Sequence, residues 1–280
     1  MAHDQQTAEL TVIDPLFFAE LLLMGTVTGF LAGLLGIGGG MIQVPFLSAM
    51  LAHRGVSGEL SIKMAIATAM ATIVFTSLAS VRAHHQRGAV RWDIVRAMSP
   101  GIVVGGLISG AGAFALVKGP ALGVVFALFV GYSATQMLLN RKPRGTRVLP
   151  PPWGQATVGS GIGLLSGLVG AGGAFMTVPF MLWCNVALHS AVGTAAALGF
   201  PIALASTIGY VIGGWSLPPS IPGAVGYLYL PALAIVAAAS VTMAPLGAST
   251  AHTMNVQAFR RVFAVLLYGV AGYMAWRAFA

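Results

Sequence analysis

Charge is scarce in this chain. Only 7% of its 280 residues are Asp, Glu, Lys or Arg, against about 25% in an ordinary soluble domain. Acids are the scarcer sign, six against fourteen Lys and Arg, and only Glu20 lies within an apolar run, near an outer end. A chain of intramembrane carboxylates is the usual proton or sodium relay, so its lack argues against a cation pump. The single cysteine, Cys184, excludes an internal disulfide and reads as a small buried apolar residue. Histidine offers no better chemistry. His84 and His85 stand among Arg82, Arg87 and Arg91, while His53, His189 and His252 stand singly, so no metal site and no cofactor are expected. No Ser/His/Asp set and no carboxylate pair can be assembled, and the chain is not expected to be an enzyme.

What the chain has is apolar surface and glycine: 57% of residues are hydrophobic and 37 are Gly. No soluble core needs that much apolar surface, so most of the chain belongs in a lipid bilayer. A net charge of +8 would suit a nucleic-acid binder in a soluble protein. Here the bases sit in short loops between apolar runs, where they act as cytoplasmic topology signals and phospholipid contacts. No nucleic-acid partner is expected. Residues 1–15 form a short polar tail with Asp4, Glu9 and Asp14, without the basic start of a signal peptide.

Two stretches organise the remainder. Gly33-Leu34-Leu35-Gly36-Ile37-Gly38-Gly39-Gly40-Met41-Ile42-Gln43-Val44-Pro45 lies inside an apolar run from Leu16 to Ala52. Gly167-Leu168-Val169-Gly170-Ala171-Gly172-Gly173-Ala174-Phe175-Met176-Thr177-Val178-Pro179 repeats it 134 positions later. The first run would make a straight helix of about 55 Å, while the hydrocarbon core is about 30 Å thick. Clustered glycines and a proline disfavour an unbroken helix, so each run is expected to fold back as a re-entrant hairpin, with Pro45 and Pro179 among the structural breaks. Single spans are predicted at about 63–82, 94–117, 120–140, 190–214, 227–250 and 261–279. The match resumes at Thr68 and Thr194, now 126 apart, which predicts a loop eight residues shorter in the second half.

These elements give an all-α polytopic membrane protein of two inverted repeats, each a broken hairpin plus three transmembrane helices. The first repeat covers 16–140, a basic Pro-rich cytoplasmic linker covers 141–154, and the second repeat covers 155–280. Arg82, Arg87, Arg91 and Arg96 bracket a loop whose counterpart, 216–223, carries no charge, whereas Arg260 and Arg261 mark the next loop of the second half. Basic loops on opposite connections are what inverted copies would show. Both termini are then periplasmic, together with Arg54, Lys63, Lys118 and Arg277.

Broken helices at matching places in two halves point to the substrate site of a secondary transporter. A helix N-terminus at the midplane offers free N–H groups and a positive dipole end to an anion. Gly36, Gly38, Gly39 and Gly40 of the first copy, and Gly170, Gly172 and Gly173 of the second, are the candidate substrate-binding backbone. Gln43 and Thr177 at equivalent positions, and Thr68 and Thr194 on the following spans, are candidate side-chain donors. The competing reading is packing, since Gly29-xxx-Gly33, Gly36-xxx-Gly40 and Gly163-xxx-Gly167 are small-residue helix contacts. Gly101-xxx-Gly105 and Gly106-xxx-Gly110 read as packing alone. Nucleotide loops are excluded: no Gly-Lys-Ser/Thr follows either cluster, and Met41 and Phe175 occupy the sixth position of a dinucleotide fingerprint.

The paired glycine signature, with Pro45-Phe46 and Pro179-Phe180, resembles the sulfite exporter TauE/SafE family, also described as the toluene sulfonate uptake permease superfamily. The resemblance runs from about Phe17 to Trp276. It implies a bacterial inner-membrane permease for sulfite, organosulfonates or related small sulfur oxyanions; the reading from the repeats adds outward transport and halves that rock to alternate access. A passive anion channel of the same fold and an uptake permease for thiosulfate or sulfonate are the alternatives. Ala174 departs from the pattern where the first copy has Gly40.

Overall fold

The computed structural model describes residues 14–35, 39–139, 147–217, 221–250 and 256–279. Ten helices carry almost all of that backbone: α1 (Pro15–Leu35), α2 (Gly40–His53), α3 (Gly58–Gln86), α4 (Trp92–Leu116), α5 (Gly119–Leu139), α6 (Pro152–Val169), α7 (Ala174–Trp183), α8 (Leu188–Gly213), α9 (Leu230–Thr250) and α10 (Val256–Phe279). Two two-residue strands, β1 (Ala224–Val225) and β2 (Leu228–Tyr229), pair antiparallel just before α9. Among the described residues, seven helices are long and apolar enough to cross a membrane: α1, α3, α4, α5, α8, α9 and α10. The protein is thus an all-α polytopic membrane fold. All five tryptophans lie at or just beyond helix ends and are exposed, as expected for rings seated at the lipid–water boundary.

Each glycine-rich stretch reverses the chain. Asp14 begins α1 by accepting from Phe17 N at 2.7 Å, and its carboxylate also pairs with Arg54, just past the end of α2, at 2.7 Å. The Arg54 guanidinium lies over the Phe17 ring, 3.9 Å from its centroid. Arg147, just before α6, closes the second hairpin by donating its N–H to Trp183 O, at the end of α7, and by stacking on the Trp183 ring. The arms are unequal. A 21-residue α1 is about 32 Å long and can cross by itself, whereas α2 and α7, of 14 and 10 residues, reach about 21 and 15 Å.

Two expectations are corrected. Pro45 and Pro179 do not break the chain: each is the sixth residue of its helix, and Val44 and Val178 before them are helical. A proline there removes one N–H from the ladder; the left-handed backbone lies upstream, at Gly39 in the first copy and at Gly170 and Gly173 in the second. The eight-residue difference between halves is not in the loop either. Residues 54–57 and 184–187 form loops of equal length. Instead α2 is one turn longer than α7, and α3 starts one turn earlier than α8 in the Thr68/Thr194 register.

Helices from different halves are interleaved. Gly25, Gly29 and Gly33 of α1 lie against Val236, Ser240 and Ala244 of α9, so close that a Cβ on Gly29 or Gly33 would overlap backbone. Gly159 and Gly163 of α6 meet Met98 and Ile102 of α4 in the same way, and Gly101 and Gly105 of α4 meet Ala156 and Ser160. Residue numbers rise together along both pairs, so α1/α9 and α4/α6 are parallel. These glycines therefore pack helices, as small-xxx-small patterns do. Gly106 and Gly110 play that part against α8, where α4 widens into a π-helical turn over Ile108–Ala113. α5 and α10 pack antiparallel, with Gly123 near Met274 and Ala278 and Thr135 bonded to Tyr268. The two most enclosed spans, α3 and α8, pack together.

Candidate functional site: the junction of two broken helices

The two chain reversals meet. A Cβ on Gly40 would overlap the carbonyl oxygen of Gly170 and lie 3.2 Å from Ile73 Cδ1. Gly170 faces Ile66 and Val44, and Gly172 faces Ile73, so a single α3 side chain bridges both reversals. In the Thr68/Thr194 register the α8 residue equivalent to Ile73 is Gly199, which lies against Gly172 O. Gly40, Gly170 and Gly172 are thus brought together around Ile73, with Gly39 and Gly173 next to them in the chain. Gly36 and Gly38 lie outside the described residues.

The local geometry repeats as well. Gly39 precedes α2 with φ 72°, and Gly173 precedes α7 with φ 74°. Only glycine takes this left-handed conformation cheaply. It lets one carbonyl serve two donors: Gly39 O accepts from Ile42 N and Gln43 N, and Gly173 O from Met176 N and Thr177 N. Neither helix start has a side-chain cap. Two positive dipole ends therefore stand near the junction, and among the described residues those found against its glycines, such as Val44, Ile66, Ile73, Ser166 and Ile202, carry no charge. Residues 39–45 and 170–173 are buried, so the junction is closed to solvent in this conformation.

Polar side chains surround it unevenly. Gln43 Nε2 donates to Thr28 Oγ1 at 3.1 Å, and Thr28 passes its own proton to Met24 O at 2.7 Å. That fixes the amide and leaves Gln43 Oε1 buried without a partner. Ser166 Oγ, buried completely, is also without a partner and lies 3.2 Å from where a Gly173 Cβ would be. Ser109 and Ser206 crowd Gly167, whose carbonyl accepts from the buried Tyr210 hydroxyl. Such unmet polar groups cost about 1–3 kcal/mol each in an apolar interior. Thr28, Ser109, Ser166, Ser206 and Tyr210 were not singled out by the sequence; the available signal was a place beside a glycine for Thr28, Ser109 and Ser166, and the four-residue spacing of Ser206 and Tyr210.

The three candidate threonines are engaged with backbone. Thr177 Oγ1 donates to Gly173 O at 3.1 Å. Thr68 Oγ1 accepts from Tyr229 N, just ahead of α9, and Thr194 Oγ1 accepts from Arg91 N, just ahead of α4, both at 3.0 Å. These last two bonds are equivalent: Thr68 and Thr194 are 126 apart, Arg91 and Tyr229 are 138 apart, and each joins one half to the other. Among the described residues no group of three or more His, Cys, Asp or Glu gathers to hold a metal.

A polytopic helical protein with paired, uncapped helix starts meeting in its interior belongs to the class of membrane transporters. Comparison with known proteins agrees. A family profile described as "Sulfite exporter TauE/SafE" matches residues 21–274, and the chain belongs to that family. A probable membrane transporter protein of Haemophilus influenzae is 34% identical over 256 residues, covering 91% of this chain and 97% of its own. Probable membrane transporter proteins of Xylella fastidiosa and of Bacillus subtilis (YdhB) are each 26% identical, covering 91% and 70% of this chain and 94% and 79% of theirs. No solved structure gives a significant match. The family is one of transporters, not enzymes.

Proposed function

We propose that this protein is a secondary transporter of a small sulfur-containing oxyanion such as sulfite or an organosulfonate, working as an exporter in the bacterial inner membrane. The substrate binds where α2 and α7 begin, between two inverted repeats whose termini face the periplasm. The observation that carries this reading is the convergence of two glycine-preceded, uncapped helix starts beside the unpartnered Ser166 hydroxyl. An oxyanion spreads its charge over several oxygens, so it suits several N–H donors better than one fixed cation. Ser166 supplies a further donor, and a ligand there satisfies the group that the closed state leaves unmet. Thr68 and Thr194 hold the helix starts of the opposite half through their oxygens, which leaves each hydroxyl proton to donate.

The interleaving bears on how access alternates. Rocking one sequence half against the other would tear apart the close α1/α9 and α4/α6 contacts. The bodies that move are then mixed bundles, α1 with α9 and α6 with α4, which part at the junction of the reversals. A closed junction favours such a transporter over a permanently open anion channel. Flux of sulfite, thiosulfate and two- to three-carbon sulfonates into proteoliposomes, with and without a pH or voltage gradient, tests the reading. Accumulation against a gradient is expected. Conductance that follows only the substrate gradient would favour the channel, and no flux of any of these anions would reject the assignment.

A further inference from the structure

A second polar cleft lies away from the junction, at the face where α1 begins and α2 and α10 end. A cleft of about 640 Å³ opens there, lined by Leu16, Glu20, Met50, His53, Arg54 and Arg277 among others. The two arginines differ. Arg54 is engaged by Asp14 and the Phe17 ring. Arg277 has no carboxylate: the ion pairs among the described residues are Arg54–Asp14, Lys63–Glu59 and Arg91–Asp93.

Two buried serines hold Arg277 instead. One terminal nitrogen donates to Ser48 Oγ at 2.9 Å and the other to Ser61 Oγ at 3.2 Å. Each serine sends its own proton to a backbone carbonyl, Ser48 to Pro45 O and Ser61 to Gly58 O, both at 3.0 Å. With their protons spent, each oxygen meets the arginine as an acceptor, and the guanidinium plane is fixed without being neutralised. A guanidinium has five N–H donors. Two are used, and three remain for a planar or tetrahedral oxyanion, which this fork recognises through paired bonds.

The cleft is not part of the repeated machinery. In the registers of the repeat, Ser48 corresponds to Leu182 and Ser61 to Ala187. Met50, Ala52, His53 and Ser61 belong to the extra turns of α2 and α3 that the second half lacks. We infer that Arg277, set by Ser48 and Ser61, forms a peripheral binding site for one oxyanion head group, a sulfonate, sulfite or phosphate. The cleft sits beside Trp276 and Phe279, both well exposed, so the head group comes either from a free anion or from an anionic lipid.

Calorimetric titration of purified protein in zwitterionic nanodiscs with sulfite and a two-carbon sulfonate, and a second titration in discs of graded phosphatidylglycerol content, separate the sources. Arg277→Ala should weaken binding from one source by about tenfold to a hundredfold. Arg277→Lys, which keeps the charge and loses the fork, should fall between, with thermal stability recorded for both. Glu20→Gln should tighten binding, because it removes the one acid lining the cleft. Loss of free-anion binding assigns a solute site, and loss of the lipid effect assigns a head-group site. Unchanged binding in stably folded Arg277→Lys and Arg277→Ala, or weaker binding in Glu20→Gln, would overturn the proposal. Gly40→Ala, designed against the junction, should keep this binding, so failure of the two sites is told apart.

Discussion

The contact between the two reversals can be tested with one methyl group. A Cβ on Gly40 would meet the Gly170 carbonyl oxygen, which is backbone and cannot rotate aside, and the tip of Ile73 at 3.2 Å. The segments must part by about an ångström to restore ordinary contact. Overpacking of this kind costs about 1–3 kcal/mol, a roughly 5- to 150-fold loss in the folded equilibrium. Gly172 is the matched control, since its Cβ would lie 3.4 Å and 3.7 Å from Ile73 atoms, which is ordinary contact, and its φ is not positive. Gly40→Ala should therefore unfold at lower temperature in detergent and lose sulfite flux in proteoliposomes. Gly172→Ala should match the parent in stability while its flux falls, if the ligand approaches that backbone. A Gly40→Ala protein as stable as the parent would refute the contact, and undiminished flux in Gly172→Ala would refute ligand approach there.

Three further outcomes are expected. Thr68→Val and Thr194→Val should each cost about 1–3 kcal/mol by stranding a backbone N–H, seen as lower thermal stability. Ser166→Ala should leave stability equal or slightly raised, because no partner is lost, and should weaken substrate affinity in a ligand-induced thermal-shift assay. The N–H of Phe17 first, and then Arg54, hold the Asp14 carboxyl below its ordinary pKa. A depressed acid stabilises fully above its unfolded value and less as pH falls through the folded one, so the α1–α2 closure should loosen in acid, below the usual carboxylate range. Hydrogen exchange at the start of α1 should rise there, and Asp14→Asn should show the faster exchange already at neutral pH.

The spans were legible in the sequence because an apolar run bounded by charge or Gly-Pro leaves few options in lipid. The one between Trp92 and Leu116 was expected at about 94–117, and that between Gly119 and Leu139 at about 120–140. The repeat was legible because its glycines recur at a fixed spacing. Other features depended on partners that sequence order conceals. The spacing of Gly29-xxx-Gly33 and Gly163-xxx-Gly167 marked those faces for packing, but that Ser240 and Ile102 lie across from them is nowhere local to either glycine. Thr68 and Thr194 read as candidate donors from their matching places on the spans after the repeat, and only the fold shows that each also accepts a backbone N–H, from Tyr229 and Arg91. The start of α9 at Leu230 rather than near 227 follows from the ribbon that holds Leu228 and Tyr229 extended.

The parallel contact of α1 with α9 also sets an order of events during synthesis. The glycine face of α1 finds its partner only when residues near Ser240, bonded to Gly25 across 215 positions, have been made. At about 5–20 residues per second the ribosome needs tens of seconds to reach them. Over that interval α1 must keep its small-residue flank against lipid or a chaperoning insertase, so it is inserted long before it is settled.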